Sequence, residues 1–128
     1  MEREELTRRL RAVFVEELED HVARWNAALL EIERAADGDA LAEHVKTLFR
    51  IAHSLKGASR TVHLPDLEGY CHDLEERLSR LREQGQAPRD ALLARLFSAA
   101  DVFAEVARRL RAGEAIDEAV FAHRASPS

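Results

Sequence analysis

Apolar residues recur three and four positions apart in four stretches of the chain, the spacing that lines one face of an α-helix. Phe14, Leu18, Val22, Trp25, Leu29 and Ile32 form the first stripe. Leu41, Val45, Leu48, Ala52, Leu55 and Ser59 form the second, and Leu67, Cys71, Leu74, Leu78 and Leu81 the third. The fourth is Leu92, Leu96, Ala99, Phe103, Val106 and Leu110. Stop and start signals separate them. In "ADGD", residues 36–39, Gly38 suits a helix C-cap and Asp37 or Asp39 can cap the next helix. In "TVHLPD", Pro65 sits well in the first turn of a new helix, and in "EQGQAPRD" Gly85 and Pro88 punctuate again. The pattern therefore predicts core helices over about 8–36, 39–61, 65–84 and 89–112.

Two weaker pieces flank these four. Residues 2–11 read as a short helix or a continuation of the first, with Leu6 and Leu10 inward, and residues 114–123 as a last short helix carrying Ile116 and Val120. Short breaks make consecutive helices antiparallel neighbours, so the expected fold is all-α: an up-down-up-down four-helix bundle with short extra helices at its ends. One domain over 1–124 is expected, with "ASPS" at 125–128 opening a linker to further protein.

Composition narrows the class. Of 128 residues 46% are hydrophobic and only 5% aromatic, and β-branched residues never alternate, which leaves no sheet. A net charge of −5 lacks the dominant basic surface of a nucleic-acid binder. The single cysteine, Cys71, cannot form an internal disulfide and lies on an apolar stripe, so it reads as a small core residue in a reducing compartment. No apolar run approaches a membrane span of about 20 residues. A cytoplasmic protein with no membrane or nucleic-acid partner is the expectation.

Charge and chemistry concentrate on the second helix. At about 100° per residue, His53 lies roughly 120° from the centre of its apolar stripe, at the boundary or in solvent. Residues three, four and seven away share its face: Lys46, Phe49, Arg50, Lys56, Gly57 and Arg60. Lys46, Arg50, Lys56 and Arg60 are cations on an acidic chain. Glu68, His72, Glu75 and Ser79 form a polar stripe on the third helix. If the two helices are antiparallel around a turn centred near residue 64, His53 is level with Glu75 and Lys56 with His72. A carboxylate that accepts the proton of one imidazole nitrogen leaves the other as a free nucleophile.

The stretch "FRIAHSLKGAS", with His72-x-x-Glu75 on the next helix, closely resembles the signature of histidine phosphotransfer (HPt) domains, in particular the N-terminal domain of chemotaxis-type histidine kinases. The resemblance covers about residues 8–118. It implies that His53 is phosphorylated on the ring nitrogen distal to the backbone, with Lys56, His72 and Glu75 as a hydrogen-bonded cluster around it. It implies two partners: a histidine kinase catalytic domain, in the same protein or in trans, and a receiver (response regulator) domain whose aspartate takes the phosphoryl group. Lys46, Phe49, Arg50, Gly57 and Arg60 are the candidate docking residues. ATP and magnesium are implied in the partner domains, with no cofactor bound by this chain and no catalysis of its own. An isolated domain of this kind is expected to be monomeric. Arg60 and His63 stand where the family more often has glycines.

Two rival readings compete. Six histidines in a bundle suggest a metal site, but the Glu-x-x-His motif of di-iron bundles is missing and no ligand set repeats, so no metal is expected. His21, His44, His63 and His123 have no assignable partner. The other rival is a helical docking bundle, derived from a phosphotransfer domain but never phosphorylated. Phosphorylation of His53 separates the two.

Overall fold

A computed structural model of the chain describes residues 2–34, 38–85 and 88–125. The elements are α1 (Glu2–Arg34), α2 (Gly38–Thr61), α3 (Pro65–Gln84), α4 (Asp90–Ala112) and α5 (Glu118–Ala125). No strand occurs among the described residues. The helices form a bundle in which α2 packs most extensively on α3, α1 lies against both α4 and α2, and α5 bridges α4 and α3. The four stripes converge in one core: Leu18, Trp25 and Leu29 meet Leu48, Leu55, Leu67, Leu74, Leu78, Leu96 and Phe103, all essentially without exposure. Trp25 donates its indole N–H to the Leu96 carbonyl at 2.7 Å and meets Phe103 edge-on, so its polar atom is satisfied inside the core. Cys71 is buried, as its stripe position implies, and that burial pushes its thiol well above the usual range.

The helix ends correct the sequence reading in three places. Residues 2–11 continue α1, and Leu6 and Leu10 are 57% and 37% exposed, not inward. The reason is length. At 1.5 Å per residue α1 is about 50 Å long against about 35 Å for α4, so its first turns run past the bundle. Gly38 opens α2 and does not close α1; residues 35–37, where the first helix was expected to finish, lie outside the described residues. The last helix starts at Glu118, later than expected, because Gly113 ends α4 in the left-handed region (φ 72°). The chain is re-nucleated only where the Asp117 carboxylate accepts the Ala119 N–H at 3.1 Å. Ala125 is still helical, and the rest of the expected linker, 126–128, lies outside the described residues.

The α2–α3 turn positions the site. Its two closing bonds, Leu64 N–H to Ser59 O (2.9 Å) and His63 N–H to Arg60 O (3.2 Å), are those of a Schellman stop. Such a stop needs a left-handed residue at its penultimate position, and here that residue is His63 at φ 60°. An L-side chain there costs about 1–2 kcal/mol. Arg11 of α1 offsets this by donating to the Val62 carbonyl (3.0 Å) and the His63 carbonyl (3.2 Å). Pro65 then starts α3, as its lack of an N–H favours.

His63→Gly should therefore raise stability by about 0.5–1 kcal/mol, the relieved strain exceeding glycine's greater freedom when unfolded. Urea unfolding with an unchanged m-value checks it. A less stable glycine variant would mean that His63 is not strained.

Candidate functional site

The site is built on α2 and α3, the most closely packed helices, joined by only three residues. Burying Leu48, Ile51, Ala52 and Leu55 turns His53 outward, and its side chain is 65% exposed. Across from it, burial of Cys71, Leu74 and Leu78 puts Glu75 at the edge of the interface, 13% exposed. His53 Nδ1 and Glu75 Oε2 share a hydrogen bond. Lys56 Nζ donates to the other carboxylate oxygen, Oε1, at 2.6 Å. One carboxylate thus grips two residues of α2. An ionised carboxylate can only accept, so Nδ1 is the nitrogen that donates to Glu75, and Nε2 has no hydrogen-bond partner among the described residues.

The electrostatics follow from this placement. Burial by itself would raise the Glu75 carboxyl, but the hydrogen bonds from Lys56 and His53 overcome it and hold the group below the ordinary carboxylate range. Glu75 is therefore ionised at neutral pH, as an acceptor of the imidazole proton must be. It is also close enough to Cys71 to raise that thiol further.

Of the residues singled out from sequence, the structure brings His53, Lys56 and Glu75 together. It does not bring His72 into the cluster. The His72 ring nitrogen Nε2 lies 3.2 Å from Glu76 Oε1, one turn along its own helix, and among the described residues that is the carboxylate it meets. Lys56 faces Glu75, not the level of His72. Arg60 is engaged as well, through Glu68 at 2.7 Å, a pair that centres on residue 64 as His53 and Glu75 do. Lys46 and Arg50 have no carboxylate partner among the described residues, and Arg50 is exposed. At Gly57 an added Cβ would meet nothing within 4 Å, so the helix surface beside His53 is open. Phe49 is half-buried, its ring parallel to the His53 ring within 10° at 6.3 Å. Arg82 of α3 lies over the Phe49 ring at 4.9 Å and escaped the sequence reading. Its signal was its register: Arg82 is level with Lys46, inside the polar stripe that runs on from Ser79.

The profile of the family described as Hpt domain matches residues 9–119. The chain belongs to the Hpt domain family, whose role is histidine phosphotransfer in a phosphorelay. Among curated proteins it is similar to the chemotaxis protein CheA of Rhizobium meliloti, 32% identical over 110 residues, covering 86% of this chain and 14% of that protein. It is also similar to CheA of Bacillus subtilis, 35% identical over 89 residues, covering 70% of this chain and 13% of the relative. The chain thus spans about a seventh of the length of the relatives it matches. No solved structure matches the chain significantly. No helix among the described residues is long and apolar enough to cross a membrane.

The depressed Glu75 carboxyl has a testable sign. Its folded pKa lies below its unfolded value, so its stabilisation is present above the unfolded pKa and is lost as pH falls through the folded one. The wild type should melt above Glu75→Gln at neutral pH, and the gap should close only below the pH where an ordinary glutamate titrates. A gap that closes within the ordinary carboxylate range would show that Lys56 and His53 do not hold the charge.

Proposed function

We propose that His53 is the phosphoryl acceptor of this chain. It receives the γ-phosphoryl group of ATP from a histidine kinase catalytic domain, in the same protein or in trans, and passes it to an aspartate of a receiver domain. The observation that carries this reading is the arrangement of one imidazole: Nδ1 bound to Glu75 on a largely exposed side chain, with no hydrogen-bond partner at Nε2 among the described residues. The Nε2 lone pair attacks the γ-phosphorus, the bond to the β–γ bridging oxygen breaks, and ADP leaves with that electron pair. The ring then carries positive charge shared with Nδ1–H, which the Glu75 carboxylate stabilises from 13% exposure, where a charge acts more strongly than in bulk water. In the second step a receiver aspartate attacks phosphorus, the Nε2–P bond breaks, and the imidazole returns neutral with its proton still on Nδ1.

Lys56 acts first on the carboxylate. Bound to Glu75 Oε1, it keeps the carboxylate charged and aimed, and it acts on the phosphoryl group only by its field. The cations of this face with no carboxylate partner among the described residues, Lys46 and Arg50, are the ones left to steer the acidic pocket in which a receiver holds magnesium. ATP and magnesium belong to the partner domains in this reading. A chemotaxis-type pathway is the setting that the named relatives support.

Incubation with a kinase core and labelled ATP tests the assignment. Label should enter the wild type, be lost in acid and survive in base, as a phosphoramidate does, and be absent from His53→Gln. Equal labelling of that variant would overturn it. Gly57 tests access to the ring. Gly57→Ala should stabilise the fold by about 0.5–1 kcal/mol, since the added methyl meets open space. Gly57→Leu should melt normally yet lose transfer to a receiver. Normal transfer by Gly57→Leu would show that no partner approaches over this surface.

A further inference from the structure

The bond to Glu75 fixes one atom of the His53 ring and leaves its plane free. Rotation about a histidine χ2 is broad, because it joins tetrahedral and planar carbons. With a side chain 65% exposed, packing against the core does not set that plane either. Yet Nε2 can meet a phosphorus in line only if the plane is set, because its lone pair lies in the plane of the ring.

The structure supplies a second restraint from α3. Phe49 lies one turn before His53 on the same face, with its ring parallel to the imidazole. Phe49 is in turn covered by the Arg82 guanidinium at 4.9 Å from its centroid. Among the described residues no carboxylate pairs with Arg82, so the aromatic face is where its charge is engaged. An arginine is suited to this, being planar, weakly hydrated and able to lie flat on a ring.

We propose that Arg82 is a positioning residue for His53, acting through Phe49. The guanidinium holds the phenyl ring, the phenyl ring sets the imidazole plane, and Glu75 sets the direction in which Nδ1 points. Two contacts from α3, one a hydrogen bond and one stacked, together aim Nε2. This inference rests on His53 being the acceptor, and it adds a residue that touches neither the phosphoryl group nor the imidazole.

The test uses the full chain with Arg82→Ala and Arg82→Lys, and phosphoramidate as a small donor that needs no docking surface. Nε2 displaces ammonia from phosphorus, so the rate reads the ring alone. Arg82→Ala should be labelled about two- to fivefold more slowly, with its helical circular dichroism retained. The His53 ring proton resonances should move towards those of a free imidazole as the Phe49 ring current is lost. Arg82→Lys, which keeps a cation over the ring, should restore most of both effects. Unchanged rate and unchanged ring shifts in Arg82→Ala would overturn the proposal. So would a defect seen only with a kinase domain, since that would make Arg82 a docking contact. Kinase-dependent labelling of wild type against His53→Gln decides the acceptor assignment separately, and the ring shifts decide the role of Arg82 even in a chain that takes no label.

Discussion

The site hangs on one carboxylate. Glu75 accepts from His53 Nδ1 with one oxygen and from Lys56 Nζ with the other, so a single side chain of α3 determines both the tautomer and the charge balance of the face of α2. Its position at the edge of the helix interface matters as much as its partners. Deeper burial would leave desolvation dominant and neutralise the group, while full exposure would screen its attraction for the imidazole proton. At 13% exposure the hydrogen bonds win, and the carboxylate stays ionised.

That position depends in turn on the register of α2 against α3, which the turn at Val62–Leu64 enforces. The turn holds a non-glycine residue in a left-handed conformation, capped by Arg11 from the part of α1 that reaches past the core. Two hydrogen-bonded pairs, His53–Glu75 and Arg60–Glu68, share the same centre of register, and a slip of one turn would break both. The N-terminal stretch of α1, which buries little itself, therefore contributes to the site by steadying the turn.

Much of this was legible in the sequence. The stripes named the core because helical spacing and burial are the same fact seen twice, and counting from the turn paired His53 with Glu75, which the structure joins by a hydrogen bond. One misplacement, Lys56, and one omission, Arg82, share a cause. Long side chains on a helix lean towards its N-terminus, so Lys56 reaches back to the level of Glu75, and Arg82 reaches back over Phe49. Counting by Cα level misses that lean. His72 could choose between a residue across the interface and Glu76 one turn away, and the nearer carboxylate held it. Periodicity also says nothing about where a helix outruns its neighbours, which is why Leu6 and Leu10 looked internal.

The central claim is that Glu75 holds the His53 imidazole as the Nδ1–H tautomer, leaving Nε2 as the nucleophile. Nitrogen-15 spectroscopy of the ring at neutral pH tests it most directly. The account predicts a protonated Nδ1 and an unprotonated Nε2 in the wild type, with that preference lost in Glu75→Ala. A wild-type ring carrying its proton mainly on Nε2 would contradict it.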